Sequence, residues 1–397
     1  MQYRLDQKTG TELSVLGFGC MRFPKNIKAA EQLVIRAVEK GINYFDTAYI
    51  YGNNEVILGN ILARNQLREK VYIATKLPTF LIRKEQDFEK YFQKELERLQ
   101  TDYLDYYLIH MLTDLAQWQA FCDMRIREWI SDKKKSGAIR RIGFSFHGQR
   151  SEFEAILDAY DWEFCQIQYN YSDENYQAGV LGMKKAAAKG IPVIIMEPLL
   201  GGKLANELPK KAVDLFHHAN PDYSPAAWAL RWLWNQPEVT VVLSGMNEYS
   251  QLDENIRTAE ESSVGILTRD EIDTIGKVQQ VFRDSFRIPC TGCGYCLPCP
   301  RHVNIPACFS DYNTSYSMGF RTGMHQYMFD TGTFAKQEKR AGLCIQCRKC
   351  ESHCPQGIKI SEELKKVKAR MEPKRYRIPL SIARLFLKNR KNSGKQE

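Results

Sequence analysis

Eight short runs of β-branched and aromatic residues recur along roughly the first 280 residues of this 397-residue chain. Amphipathic segments with apolar residues at helical spacing lie between most of the runs, for example at 29–39, 88–99 and 151–159. Repeated strand–helix units of this kind are typical of an α/β fold, the (β/α)8 TIM barrel. A further helix is predicted to begin at Arg269. The predicted strands are 15–19, 44–46, 71–74, 106–109, 142–144, 165–168, 193–196 and 239–243.

The cysteines predict a second domain, because eight of the 12 form two tight groups after residue 289. Each group has three cysteines at two-residue intervals and a fourth that is followed by proline. The second group fits the C-x2-C-x2-C-x3-C-P run of cubane clusters in full, whereas the first is one residue shorter before its last cysteine. The pattern predicts two [4Fe–4S] clusters in a mainly α-helical, ferredoxin-like domain. A zinc site or a single cluster remains the alternative.

In two-cluster domains, three thiolates of one loop hold one cluster and the distant Cys-Pro completes the partner cluster. The predicted ligand sets are therefore Cys290, Cys293, Cys296 and Cys354 for one cluster, and Cys344, Cys347, Cys350 and Cys299 for the other. Cys308 lies outside both groups and is interpreted as a core thiol. Thiolate ligands and oxygen-sensitive clusters favour a reducing cytoplasm. Residues 1–6 do not resemble a signal peptide, and no run approaches the roughly 18 apolar residues of a membrane span.

These features divide the chain into a barrel at 1–280, a dicluster domain at 281–372 and a basic tail at 373–397. Much of the net charge of +9 lies in the tail, which is interpreted first as a solvated terminus. The alternative is a docking surface for an acidic electron carrier such as ferredoxin or flavodoxin. An apolar stretch at 378–387 could contact a membrane surface, a weaker interpretation. Nucleic-acid binding is not expected, because no recognition module is present.

Four polar residues follow or end adjacent predicted strands at the end of the barrel where such folds carry their chemistry. They are Asp46, Tyr51, Lys76 and His110. Each residue alone has ordinary structural roles, and an Asp–Lys pair inside a barrel could be purely structural. Together they could donate a proton, because a buried lysine lowers the pKa of a neighbouring phenol and an aspartate compensates the lysine. Tyr51 could then protonate a carbonyl oxygen that His110 orients.

On these residues the chain resembles the aldo-keto reductases over about residues 1–265. The resemblance rests on Asp46-Thr47-Ala48-x-x-Tyr51-Gly52, on Lys76 at its strand end, and on His110 in Leu108-Ile109-His110. It implies that Tyr51 is the general acid, that Lys76 and Asp46 tune it, and that His110 orients the carbonyl. The cysteine-rich region resembles the branch of that family with a C-terminal two-cluster ferredoxin-like domain. A small carbonyl or alcohol substrate and NADPH are implied.

The resemblance also implies positions that contact the nicotinamide cofactor: Ser145, Gln166, Gly201, Gly202, Ser244, Gly245, Gln251, Glu254 and Asn255. Several neighbours depart from the family pattern. Phe146 replaces an asparagine, and Met196 replaces an aromatic residue that stacks on nicotinamide. The two cationic positions for the 2′-phosphate are Gln251 and Gly245 here, so NADH is as well supported as NADPH.

Hydride transfer moves two electrons together, whereas a cubane cluster accepts one, so direct coupling needs an intermediary such as a flavin. No residue pattern identifies a flavin site, although a barrel could hold one. The leading hypothesis is therefore an oxidoreductase of aldo-keto reductase type with two clusters that are redox-active or structural. The alternative is an iron–sulfur electron-transfer protein that uses the barrel as a docking or flavin-binding scaffold.

Overall fold

The computed structural model describes residues 1–332, 337–354 and 356–373. The chain divides into two compact units, Met1–Gln279 and a second that begins at Gln280. The basic tail predicted at 373–397 lies outside the described residues from residue 374 onward, and so does the apolar stretch at 378–387. Both interpretations of the tail therefore remain predictions.

The first unit is a closed barrel of eight parallel strands, so the predicted (β/α)8 fold is confirmed. Each strand pairs with the next along the chain, and the last, β10, closes on β3. Several strands are longer than predicted, most clearly β6. The barrel strands are β3 (Leu16–Gly19), β4 (Tyr44–Asp46), β5 (Tyr72–Leu77), β6 (Leu104–Leu112), β7 (Ile139–Phe146), β8 (Phe164–Gln168), β9 (Val193–Met196) and β10 (Val239–Ser244).

Helices surround the barrel because apolar residues at helical spacing need a partner surface. Asn26 begins the first helix by accepting hydrogen bonds from the backbone N–H groups of Lys28 and Ala29. The helices are α1 (Ile27–Glu39), α2 (Asn54–Arg64), α3 (Gln86–Leu99), α4 (Leu115–Asp123), α5 (Ile126–Lys135), α6 (Arg150–Ala159), α7 (Gly179–Ala188), α8 (Lys203–Asn206), α9 (Lys210–Ala219), α10 (Pro225–Trp234), α11 (Tyr249–Glu260) and α12 (Arg269–Asp284).

A short antiparallel hairpin, which was not predicted, precedes the barrel. Its strands are β1 (Tyr3–Asp6) and β2 (Thr11–Ser14). Asp6 is fully buried and accepts a hydrogen bond of 3.0 Å from the hydroxyl of Tyr106, near the amino end of β6. Leu13 packs in the apolar cluster inside the barrel. The hairpin therefore covers the amino end of the barrel, and the carboxyl ends of the strands remain for a site.

The second unit contains α13 (Ile305–Ser317), α14 (Phe320–Asp330) and α15 (Ile360–Met371). Its core is formed by apolar side chains of these helices, with Cys308 completely buried among them as predicted for a core thiol. Several cysteines of the two groups pack at the edge of this core. In the part of the chain that the structure describes, no helix combines the length and apolarity that crossing a membrane needs.

Candidate active site

The centre of the barrel mouth is a buried ion pair between Asp46 and Lys76. Asp46 is the last residue of β4, and Lys76 lies in the neighbouring strand β5. Lys76 Nζ donates to Asp46 Oδ1 and to the carbonyl oxygen of Thr47, each at 2.6 Å. Burial lowers the pKa of Lys76, but Asp46 and the other neighbouring groups together outweigh burial, so the pKa of Lys76 is raised. The lysine is therefore a fixed positive charge with only 1% of its surface exposed.

Tyr51 lies in the loop between β4 and α2, directly beside this charge. Lys76 Nζ is 5.3 Å from the centroid of the tyrosine ring. Burial raises the pKa of the Tyr51 hydroxyl, while the ammonium of Lys76 acts in the opposite direction. The sequence-based expectation named only the lysine effect. The structure adds that burial is the larger effect, so the pKa of the phenol lies above its ordinary value and the hydroxyl stays protonated.

His110 lies in β6 and faces Tyr51 edge-on, with ring centroids 6.4 Å apart. Burial and the nearby charge of Lys76 hold the pKa of His110 well below its usual range, so the imidazole is neutral near pH 7. Its Nδ1 is buried and has no hydrogen-bond partner within the described part of the chain. The four residues predicted as a proton-donating site are thus brought together at one end of the barrel.

The positions predicted to bind a nicotinamide divide into two kinds. Gln166 in β8 donates through Nε2 to Asp46 Oδ2 at 2.9 Å, while its Oε1 is buried and unpartnered among residues 1–332, 337–354 and 356–373. An orphaned acceptor beside the ion pair suits the N–H donors of a carboxamide. Ser145 Oγ instead accepts a hydrogen bond from the backbone N–H of Met111 at 2.8 Å, where Met111 has a positive φ of 54°.

Two glycine turns form the rim above β9 and β10. Gly201 and Gly202 have positive φ angles of 69° and 94°, a conformation that favours glycine. The second turn follows Ser244 and contains Gly245. Turns with closely approachable backbone N–H groups at this position in a barrel can cradle a phosphate. The residues present therefore fit a nicotinamide dinucleotide at the amide and at the phosphate turns.

The remaining predicted contacts are engaged within the protein. Asn255 Nδ2 donates to Ser244 Oγ at 3.1 Å, and both residues are buried. Gln251 Oε1 accepts from the backbone N–H of Asn247 at 3.0 Å. Glu254 lies on the same helix, α11, and is half-buried. Asn255 and Gln251 therefore fasten α11 to the end of β10 and to the turn that follows it.

Four residues at the mouth were not assigned to the site from the sequence. Cys20 and Arg22 follow β3 directly, His147 follows β7, and Glu197 follows β9. Burial raises the pKa of the Cys20 thiol, and Asp46 acts in the same direction. Burial lowers the pKa of His147 to about 4. Glu197 is exposed and interacts electrostatically with Arg22. Their position immediately after strand ends was the signal that could have identified them.

A second buried ion pair lies behind Tyr51 and Lys76. Glu55 in α2 accepts from Arg98 at 3.0 Å and from the hydroxyl of Thr75 at 2.7 Å. Thr75 precedes Lys76 in β5, and Arg98 also donates to the carbonyl oxygen of Tyr49 in the loop that carries Tyr51. This network, Thr75–Glu55–Arg98, therefore fastens the tyrosine loop to the strand that carries the lysine.

In the second unit, the two cysteine groups form loops of matching backbone conformation. The second residue after the first cysteine has a positive φ in both loops, 69° at Gly292 and 59° at Gln346. The fourth residue does too, with 82° at Gly294 and 59° at Arg348. Backbone N–H groups approach the first sulfur of each loop, at 3.5 Å from Gly292 and 3.4 Å from Gln346. The two loops are thus shaped alike although only one is glycine-rich.

The cysteines predicted to hold one of the clusters line a common pocket with apolar walls. Cysteines from both groups line it: Cys290, Cys293, Cys296 and Cys354. Burial and the neighbouring Cys290 raise the pKa of Cys296 to about 12, and burial raises that of Cys350 to about 11. Bound iron would offset this cost of gathering thiolates. Among the described residues, no three His, Cys, Asp or Glu side chains converge on a single metal-ion position.

Comparison with known families gives two matches along the chain. Residues 15–279 match the model of the aldo/keto reductase family. Residues 289–359 match that of a 4Fe-4S dicluster domain. The first match spans the whole barrel, and the second contains both cysteine groups.

Individual relatives match about two thirds of this chain. The oxidoreductase YrpG of Bacillus subtilis is 27% identical over 309 residues, which cover 66% of this chain and 91% of YrpG. The holo form of aldo-keto reductase AKR11C1 from Bacillus halodurans superimposes with a TM-score of 0.60 and 25% identity, covering 70% of this chain and 96% of that one. An aldo-keto reductase from Klebsiella pneumoniae in complex with NADPH has a TM-score of 0.58 and 20% identity, with the same coverage.

Proposed function

The chain belongs to the aldo/keto reductase family and carries a 4Fe-4S dicluster domain, and on this premise we propose that it interconverts a small carbonyl compound and its alcohol, with Tyr51 as general acid. The observation that carries the proposal is the ion pair of Lys76 and Asp46 beside the Tyr51 ring. Removing two charges from water is costly, and a barrel could fill this position with apolar side chains. A role in proton transfer by Tyr51 explains why the charge of Lys76 is held beside its ring.

A reduced nicotinamide supplies the hydride when it is bound. The Tyr51 hydroxyl donates its proton to the carbonyl oxygen, and the ammonium of Lys76 stabilises the negative charge left on the phenol oxygen. Asp46 keeps Lys76 charged, and Gln166 holds the second oxygen of Asp46 in place. Neutral His110 donates a hydrogen bond from a ring N–H to the same carbonyl oxygen. In the reverse direction Tyr51 recovers the proton from the alcohol.

The cofactor is proposed to be NADPH or NADH. Gln166 Oε1 would accept from the carboxamide, and the glycine turns at Gly201–Gly202 and Gly245 would approach the phosphates. The NADPH in the Klebsiella pneumoniae protein of the same fold supports a nicotinamide cofactor. Met196 stands where the family has an aromatic residue, so stacking on the nicotinamide would be weaker here. A flavin has no residues in its favour.

We propose that the second unit holds two [4Fe–4S] clusters in the crossed arrangement. Cys290, Cys293, Cys296 and Cys354 would hold one, and Cys344, Cys347, Cys350 and Cys299 the other. The cavity shared by the first set supports this pairing. Such clusters supply single-electron transfer, which makes an acidic electron carrier a candidate partner and a reducing cytoplasm the expected compartment.

The Tyr51→Phe variant tests the proton-donating role. With 4-nitrobenzaldehyde and NADPH or NADH, kcat/KM should fall by at least about a hundredfold. The thermal midpoint should stay unchanged, since the ring remains. The matched control is Tyr103→Phe, because Tyr103 precedes β6 at the opposite end of the barrel, with its ring against Arg68 and Arg140. Equal kcat/KM in the Tyr51→Phe variant and wild type would refute the assignment.

Iron content tests the clusters. Anaerobically purified protein should contain about eight irons per chain, and Cys354→Ala about four, because one cubane loses a ligand. Cys308→Ala removes a buried thiol outside both groups and should retain the wild-type value. A wild-type content near one metal ion per chain would favour zinc instead. If NADPH and NADH also leave the cluster absorption unchanged while carbonyl turnover persists, the clusters serve stability or another redox partner.

A further inference from the structure

His147 is a polar side chain of the barrel mouth to which the proposed chemistry gives no role. We propose that His147 donates a hydrogen bond from Nε2 to a second oxygen of the substrate, on the carbon next to the carbonyl group. The substrate class would then be carbonyl compounds with an oxygen on that carbon, such as α-hydroxy ketones. This inference rests on the proposed function, because it names the substrate class of that same site.

The direction of the His147 side chain follows from the strand that it extends. The backbone N–H of His147 donates to the carbonyl oxygen of Leu112 in β6 at 2.9 Å, which continues the pairing of β7 with β6. Successive side chains of a strand face opposite sides. The ring of Phe146 packs outside the barrel against that of Phe153 in α6, with ring centroids 5.1 Å apart. The next residue, His147, therefore faces the inside of the mouth.

The imidazole of His147 lies within electrostatic reach of the proton-donating residues. Desolvation lowers the pKa of His147 to about 4, and the ammonium of Lys76 acts in the same direction. Desolvation also lowers the pKa of His110, and both Lys76 and His147 contribute to that shift. Both imidazoles are thus neutral near pH 7. A neutral imidazole has one N–H donor and one acceptor nitrogen.

Two side-chain amides determine which nitrogen of His147 carries the proton. Gln177 Nε2 lies 3.4 Å from His147 Nδ1 and 3.3 Å from Gln168 Oε1. An amide nitrogen only donates hydrogen bonds, so Nδ1 is the acceptor and the proton is on Nε2. Nε2 makes no hydrogen bond within residues 1–332, 337–354 and 356–373, and the side chain is half-buried. Its N–H is therefore available to a ligand in the mouth.

The donor character of Nε2 selects the kind of substrate atom that it would meet. An N–H group needs an acceptor, and the carbon next to the carbonyl is the closest position at which a substrate can offer a further oxygen. A substrate with a methyl group there would displace water from the N–H group and leave it unpaired. Hydroxyacetone, for example, would take up one hydride and the proton of Tyr51 to give propane-1,2-diol.

Hydroxyacetone and 2-butanone test the inference, because they differ only in a hydroxyl group in place of a methyl group. Full-length, anaerobically prepared protein with NADPH or NADH should have a kcat/KM at least about tenfold higher for hydroxyacetone. The hydroxyl group also makes the carbonyl more reactive, so the ratio of the two values is compared between variants. His147→Asn keeps a polar atom near Nδ1 only and should lower the ratio about tenfold. His147→Gln keeps an N–H near Nε2 and should preserve most of it.

The matched control is His218→Asn. His218 is exposed on α9, and its Nδ1 contacts the carbonyl oxygen of Asp214 in the same helix at 2.6 Å. This variant should keep the wild-type ratio. A fluorescence titration of NADH and NADPH should also give the wild-type Kd in His147→Asn.

Each other outcome has a defined meaning. The wild-type ratio in His147→Asn overturns the inference and leaves the proposed function intact, and if the Kd of the dinucleotides rises as well, His147 binds the cofactor instead. Equal ratios in the Asn and Gln variants contradict the assignment of the donor to Nε2. Wild type that reduces 4-nitrobenzaldehyde but not hydroxyacetone overturns the inference alone, and wild type that reduces no carbonyl compound overturns the proposed function too. If His147→Asn does not fold, His147→Phe decides, because an unchanged ratio without any N–H contradicts the inference.

Discussion

The Thr75–Glu55–Arg98 network makes a sharp prediction about what happens when only one partner of a buried ion pair is removed. Glu55 has 1% of its surface exposed, whereas the Arg98 side chain is 21% exposed. Arg98→Met should therefore leave a carboxylate that water cannot reach. Glu55→Gln should leave Arg98 able to turn toward solvent. The amide oxygen of the introduced glutamine can still accept a hydrogen bond from the Thr75 hydroxyl.

The expected costs differ accordingly. Losing the partner of a buried charge costs about 3–5 kcal/mol of the free energy of unfolding, so Arg98→Met should fall in this range. Glu55→Gln should cost about 1–2 kcal/mol, the loss of one charge-assisted hydrogen bond. The double variant should cost less than the sum of the two single variants, since it leaves no charge unpaired.

The cost of Arg98→Met should also depend on pH. Burial raises the pKa of Glu55, and Arg98 is one of the groups that lower it, so the variant raises it further. Because the pKa of Glu55 is higher in the folded protein than in the unfolded chain, the free energy of unfolding is greatest below about pH 4.5 and falls as the pH rises through the folded-state pKa. The difference in unfolding free energy from wild type should thus grow by up to about 1.4 kcal/mol per pH unit once the pH exceeds the folded-state pKa of Glu55 in wild type, which itself lies above 4.5. Burial also raises the pKa of the neighbouring Glu95, and Arg98 is one of the groups that lower it, so losing Arg98 changes the pH dependence of stability in the same direction there.

Urea unfolding followed by tryptophan fluorescence measures the barrel alone, because all six tryptophans lie in it. They are Trp118, Trp129, Trp162, Trp228, Trp232 and Trp234. Titrations at pH 5, 6.5 and 8 of wild type, both single variants and the double variant complete the cycle. A cost of Arg98→Met that is below that of Glu55→Gln, or that does not vary with pH, would refute the reasoning.

Two further perturbations follow from local features. His147→Gln should lessen the fall in barrel stability between pH 6.5 and about 4, by up to about 3 kcal/mol, because the unfolded chain takes up a proton that half-buried His147 does not accept in the folded state. Equal pH dependence in variant and wild type would contradict this. Arg348→Gly should raise the free energy of unfolding of the second unit by about 1 kcal/mol, and Gly294→Ala should lower it by about the same amount, as measured by the loss of cluster absorption in urea. Both positions need a positive φ, and a methyl group at Gly294 would meet no other atom. Shifts in the same direction would argue against backbone strain.

The barrel could be predicted from the sequence because each strand and each helix has a recognisable residue pattern of its own, and these patterns alternate along the chain. All eight predicted strands exist, and the shortfall at β6, predicted as 106–109 but spanning Leu104–Leu112, arose at ends where polar residues such as Asp105 and His110 interrupt the apolar run. The hairpin before the barrel was missed because its two strands have four residues each and carry mostly polar side chains. Its burial depends on the amino end of the barrel, which no local pattern reveals.

The site residues that lie at predicted strand ends could be identified from the sequence. Contacts between segments that are distant in the sequence could not. Asp46, Tyr51, Lys76 and His110 end or follow the predicted strands, so the predicted strand positions were enough to bring them together. The contact between Arg22 and Gly201 could not be found this way, since only the closed barrel creates it. The pKa of Tyr51 was likewise beyond the sequence, because the extent of burial decides it.

The pocket that Cys290 and Cys354 line together implies an order of events during biosynthesis. The first cysteine loop is synthesised well before residues 344–354, so the proposed set of Cys290, Cys293, Cys296 and Cys354 is incomplete until Cys354 is made. The other proposed set is incomplete until Cys350 is made. Domains near the amino terminus generally fold first during synthesis, and the barrel would therefore be finished before iron is inserted. Cells starved of iron would hold a pool of chains with mature barrels and immature second units, and iron supply would set how quickly that pool is converted.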